Sequence, residues 1–135
     1  MGSSRHQTVS KTRGATMPIF KIRGRTYHNP VELADELVGG RWKMPILWRL
    51  QQRVWRYGEF KKSMEGISHK MLSQQLKQLE RNGLLIRKAH SVTPPRVDYK
   101  ITPRGRKCLP AIEAMRDLGL YFKKVKMKRS GRPGA

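Results

Sequence analysis

Cysteine and acid are both scarce in this chain. Its 135 residues hold one cysteine, Cys108, so no disulfide framework can form within one chain, a usage that fits a reducing compartment. Nine Asp and Glu stand against 30 Lys and Arg, a formal charge of +21. Such a surplus repels itself in a compact state unless a polyanion offsets it. Nucleic acid is the first polyanion to consider and an anionic membrane surface the second. No apolar run approaches the length of a bilayer span, and the polar opening from Met1 to Pro18 has no secretory hydrophobic stretch. A cytoplasmic setting without a membrane partner is therefore expected. The four histidines and lone cysteine lack metal-ligand spacing, and there is neither a phosphate-cradling Gly loop nor a nucleophile–base pair. No metal, no cofactor and no catalysis are expected.

The basic surplus is uneven. Residues 1–28 carry six basic residues and no acid, as do residues 123–135, whereas all nine acids lie in 29–122. That pattern predicts a folded domain over 29–122 between a largely flexible basic arm and a flexible basic tail. Within the arm, Ile19–Tyr27 alternates weakly and reads as a short strand or an extended segment.

The domain opens with a helix signature. Asn29 suits an N-cap, Pro30 the first helical position, and Glu32 falls three residues after the cap. Gly39-Gly40 ends this helix. A second helix is expected over about 41–52 on Ile46, Leu47 and Leu50, and a short third over Tyr57–Met64 packing Phe60 and Met64. Ser68 caps a fourth, which runs to Asn82 and stops at Gly83. Met71, Leu72, Gln75, Leu76 and Leu79 recur on one of its sides at helical spacing, with polar residues on the other. Leu84–His90 and Val97–Ile101 read as a hairpin around the Pro-stiffened loop Ser91–Arg96. A last helix, from about Pro103 to Phe122, begins at the Thr102-Pro103 cap, with Pro110 and Gly119 as places where it bends.

This order predicts a mainly α (α+β) fold, a winged helix-turn-helix with a two-stranded β-hairpin wing. A helix that is apolar behind and polar in front fits the major groove of duplex DNA, where base edges show a distinct donor and acceptor pattern. On helix 68–82, Gln74 can read adenine and Ser73 a base or a phosphate, while Lys70, Lys77 and Arg81 are placed for phosphates or guanine. Ser68, His69 and Lys70 sit at an N-terminus whose free N–H groups favour a phosphate. Lys88, His90 and Arg96 lie at or near the wing tip, where they would touch the backbone or minor groove.

These motifs resemble a known family. Asn29-Pro30-Val31-Glu32, Gly39-Gly40-Arg41-Trp42-Lys43 and Ile46-Leu47-Trp48-Arg49-Leu50 are similar to the opening of the HxlR-type helix-turn-helix regulators, relatives of the MarR regulators. Gly66 to Glu80 resembles that family's recognition helix, and Pro94 to Tyr99 with Thr102 to Arg106 its wing and the start of its last helix. The resemblance covers about 29–122. It implies a homodimer held by the first and last helices, and control of transcription at the nucleoid, with repression the expected sign. Redox-sensing members of the family carry a cysteine just before the Pro-Val-Glu; here that place is Asn29, which argues against thiol sensing there.

Cys108 falls in register with Ile112 and Met115 and reads as a core or interface residue, with no neighbouring pattern that would activate a thiolate. Trp42, Trp48 and Trp55 read as core or interface bulk, with an aromatic cage for an unidentified small-molecule effector as a second reading. The alternatives in function are a non-specific architectural DNA-binding protein, which the basic ends favour, and a basic RNA-binding or ribosome-associated protein. RNA modules tend to stack bases on sheet aromatics, and aromatics are only 7% here.

Overall fold

A computed structural model describes residues 18–126. They fall into two compact units that divide between Gly40 and Arg41.

In the first unit, Ile19–Tyr27 is neither one strand nor an arm. It is a hairpin of β1 (Phe20–Ile22) and β2 (Arg25–Tyr27) in antiparallel register, Phe20 opposite Tyr27. The turn needs left-handed backbone, which Arg23 and Gly24 supply at φ 53° and 81°. Phe20 and Tyr27 stack at 5.3 Å. Helix α1 (Pro30–Val38) follows the expected cap: the Asn29 side chain accepts from the Glu32 N–H at 3.0 Å, and Pro30 occupies the first turn. Tyr27 donates to Glu36 at 2.8 Å, which also pairs with Arg25. α1 has no fully buried residue.

The second unit holds the core. α2 (Lys43–Leu50) contributes Ile46, Leu47 and Leu50, and α3 (Tyr57–Ser63) contributes Phe60. α4 (His69–Arg81) supplies Leu72, Leu76 and Leu79, which lie on one side because they are three or four residues apart. Its ends are fixed by the residues that marked them. The Ser68 hydroxyl accepts from the Met71 N–H. At the other end, Gly83 at φ 76° lets Gly83 N–H reach the Glu80 carbonyl and Leu84 N–H the Leu79 carbonyl, a Schellman closure.

β4 (Leu85–His90) and β5 (Arg96–Ile101) pair antiparallel with Leu85 opposite Ile101 and His90 opposite Arg96. The expected two-stranded wing gains a third strand. β3 (Trp55–Arg56) pairs with the free edge of β5, giving the order β3-β5-β4. This places Trp55 on Phe60 at 5.2 Å, with Tyr99 edge-on to Phe60 at 6.0 Å. The three tryptophans are half-buried rather than core, and Arg53 lies over the Trp55 ring at 4.2 Å.

The last helix differs more. It is not continuous from Pro103 but splits into α5 (Pro103–Arg106) and α6 (Leu109–Lys126). The break falls at Lys107–Cys108, ahead of Pro110, which sits in the first turn of α6 and so loses no helical bond there. Cys108 is thus in the junction rather than inside a helix. Helix α6 also carries Lys123 and Lys124, which the sequence had assigned to a tail. Gly105 is buried under the hairpin, and a Cβ there would overlap the Leu84 carbonyl oxygen.

Candidate nucleic-acid interface

Helix α4 presents two opposed faces. At about 100° per residue, Lys70, Gln74, Lys77 and Arg81 fall within roughly 60° of one another, and Leu72, Leu76 and Leu79 lie on the far side. All four polar residues are exposed and the three leucines are buried. Of the sequence-predicted residues, Ser68, His69 and Lys70 stand exposed at the N-terminal turn. Ser73 is half-buried on the flank of the stripe, because it faces α3.

That flank was not foreseen. Tyr57, the first residue of α3, stacks on the His69 ring at 5.8 Å with planes 6° apart. Its hydroxyl lies 3.0 Å from His69 Nδ1, 3.2 Å from the His69 carbonyl and 3.3 Å from Ser73 Oγ. Glu59 holds the start of α3 in place by accepting from the Arg56 N–H and from Arg53, both at 3.0 Å. Those bonds, the backbone one foremost, keep the Glu59 carboxyl below its ordinary range. Tyr57 sits 12 and 16 residues from its partners, and nothing in local spacing announces the contact.

The wing treats its charges differently. Lys88 is exposed and makes no ion pair among the described residues. His90 Nε2 lies 2.8 Å from Asp98 Oδ2, while Arg96 Nε and Arg56 Nε lie 3.5 and 3.9 Å from Asp98 Oδ1. Arg96 Nε is buried without a hydrogen-bond partner. The strand period explains the cluster, since Arg96 and Asp98 share one face of β5, and Lys88 and His90 lie opposite them across β4. Two of the three expected wing contacts are thus turned to an internal carboxylate.

Between α4 and the sheet lies a cleft of about 450 Å³ bordered by Tyr57, Ser73, Lys77, Glu80, Arg87 and Tyr99. Burial raises the Tyr99 phenol pKa, with Arg87 opposing. Arg87 was overlooked in the sequence because it points away from the face that carries Lys88 and His90.

The profile of the HxlR-like helix-turn-helix family matches residues 37–127. The chain belongs to the HxlR-like helix-turn-helix family. It is 44% identical over 97 residues to the uncharacterized HTH-type transcriptional regulator YdzF of Bacillus subtilis, covering 71% of this chain and 89% of that one. Among solved structures it is similar to the redox regulator HypR in its reduced form, with a TM-score of 0.70 and 30% identity over 74% of this chain and 99% of that chain. It is also similar to a candidate MarR-family transcriptional regulator of Porphyromonas gingivalis W83, with a TM-score of 0.67 and 38% identity over 75% of this chain and 97% of that chain. The winged helix-turn-helix fold and the regulator family expected from the sequence are therefore established, and with them a DNA-binding transcription regulator.

Proposed function

We propose that this protein binds duplex DNA with sequence preference as a homodimer, laying α4 in the major groove, and that it represses transcription without catalysing a reaction. One observation carries the reading: the exposed stripe of Lys70, Gln74, Lys77 and Arg81 directly opposite a buried leucine face. A helix so built can enter the groove without disturbing the core. Gln74 is suited to adenine, the cations to phosphates or guanine, and Ser68, His69 and Ser73 flank them. On the wing, Lys88 is free to meet the backbone, and His90 and Arg96 join it when they leave Asp98.

The dimer reading rests on α6. Met115, Leu118 and Phe122 fall within roughly 60° of one helix face and are each about half exposed. Beside them Met44, Pro45, Trp48, Ile112 and Met115 line a mostly apolar groove of about 390 Å³ between α2 and α6, which Arg49 and Arg116 also border. A second copy would bury this strip, with α1 joining it as the family resemblance implies. The same groove is where a small-molecule effector would fit. Redox control, as in HypR, has little support here: burial raises the Cys108 thiol pKa, and the position before the first helix is Asn29.

The basic ends at 1–28 and 123–135 are assigned to phosphates, and the cytoplasm is the expected setting. Fluorescence anisotropy on a duplex selected from a random pool, a scrambled duplex and a single-stranded RNA tests the reading. Tightest binding to the selected duplex is expected. Equal affinity for both duplexes would favour an architectural role, and a preference for RNA would overturn the assignment. Sedimentation giving only monomer at micromolar concentration would remove the dimer.

A further inference from the structure

The Tyr57 hydroxyl has one proton to give and two lone pairs to receive. Its three neighbours are His69 Nδ1, the His69 carbonyl and Ser73 Oγ, all within 3.3 Å. The carbonyl can only accept, so a bond to it uses the hydroxyl's proton. The other two contacts are then bonds only if both partners donate. A single proton arrangement satisfies all three. Tyr57 donates to the His69 carbonyl, His69 donates from Nδ1–H, and Ser73 donates from its hydroxyl. Every other arrangement leaves at least two oxygens, or an oxygen and a bare nitrogen, facing each other lone pair to lone pair.

This arrangement decides what the two α4 residues offer outward. An uncharged imidazole protonated at Nδ1 has a bare Nε2, which is an acceptor. His69 is exposed, so Nε2 is the nitrogen left for an incoming partner. In this arrangement Ser73 gives its proton to Tyr57, so it too has only lone pairs to present. The Tyr57 and His69 rings run nearly parallel, their planes 6° apart and their centroids 5.8 Å apart, so the two side chains keep company along their length. Two acceptors repel a phosphate and the N7 and O6 edge of guanine. They match the exocyclic amino groups that adenine N6 and cytosine N4 place in the major groove.

We propose that Tyr57 locks His69 in its Nδ1–H tautomer, so that His69 Nε2 and Ser73 Oγ act as acceptors that read an adenine or cytosine amino group. Tyr57 is a positioning residue in this scheme and touches no base itself. The base-reading half rests on the placement of α4 in the major groove proposed above; the tautomer does not.

Two measurements test it on the full-length protein. Long-range proton–nitrogen NMR of the free protein at roughly pH 8.5, where imidazole is uncharged, reports which His69 nitrogen carries the proton. Protonated Nδ1 is expected in the wild type, with a shift toward Nε2–H in Tyr57→Phe, which keeps the stack and loses the hydroxyl. Protonated Nε2 in the wild type overturns the proposal, whether or not the variant folds. In the second measurement, adenines and cytosines of a selected duplex are replaced one at a time by analogues lacking the amino group. One replacement is expected to weaken wild-type binding by roughly threefold to tenfold and to leave His69→Ala unaffected. Its identity separates adenine from cytosine. No such position on a duplex that the protein does discriminate overturns the readout. A wild type that discriminates no sequence at all refutes instead the placement of α4, and the NMR result still judges the tautomer.

Discussion

Helix α4 and the wing both carry basic side chains, yet they hold them in different states. On α4, Lys70, Lys77 and Arg81 stand exposed with no carboxylate paired to them among the described residues. On the wing, Asp98 gathers His90, Arg96 and Arg56 within 4 Å. A helix spaces its polar residues along one open stripe. An antiparallel hairpin sets them face to face, and one acid in the right register collects its neighbours. On the proposed reading the stripe is open to a polyanion as it stands, whereas the wing would have to exchange Asp98 for phosphate. DNA binding should begin on α4 and be completed by the wing.

The exposed stripe first depends on the scaffold beneath it. Leu76→Ala removes a fully buried side chain from the α4 core face, and a stability loss of about 2–5 kcal/mol is expected. A thermal or denaturant melt reads it directly, and a loss below about 1 kcal/mol would mean that α4 is not anchored as described.

Gln74→Ala leaves that core untouched and should cost about 1–3 kcal/mol of discrimination at one base pair, with an unchanged melt. Substituting each position of a selected duplex in turn locates the pair. An unaltered preference at every position would take Gln74 out of the reading set.

Asp98→Asn sharpens the contrast from the wing side. Freed from the carboxylate, His90, Arg96 and Arg56 should reach phosphates more readily. Affinity for all duplexes should rise, and the slope of log affinity against log salt should steepen by roughly 0.9 for each phosphate gained. A slope that stays put would show that these side chains face away from DNA.

The smallest expected effect is at Cys108. Burial raises its thiol pKa, so less thiolate is present at neutral pH than for a free cysteine. Iodoacetamide should label it slowly, and faster as pH rises. Diamide treatment should leave DNA affinity unchanged. A loss of affinity on oxidation that vanishes in Cys108→Ser would make this residue a sensor after all.

What could be read from the chain and what could not divide along the same physical line. α4 was legible because its information is local: Ser68 caps, Leu72, Leu76 and Leu79 keep the 3.6-residue period, and Gly83 supplies the left-handed stop. The stripe followed from the same spacing. The break at Lys107–Cys108 was not read, although Pro110 suits the start of a helix as well as Pro103 does. β3 spans two residues, too few for a period of two to show. The loss of His90 and Arg96 to Asp98 depends on which residues oppose each other across the hairpin. Tyr57 depends on how α3 packs against α4. Neither register nor packing is a property of a short window of sequence.

Base reading by α4 is tested by selection from a random duplex pool, carried out with the wild type and with Gln74→Ala. The wild type should enrich one motif with two-fold symmetry, as binding by a dimer requires. Gln74→Ala should enrich the same motif with one position per half-site relaxed. No enriched motif, or an identical motif from both proteins, would contradict base reading by α4.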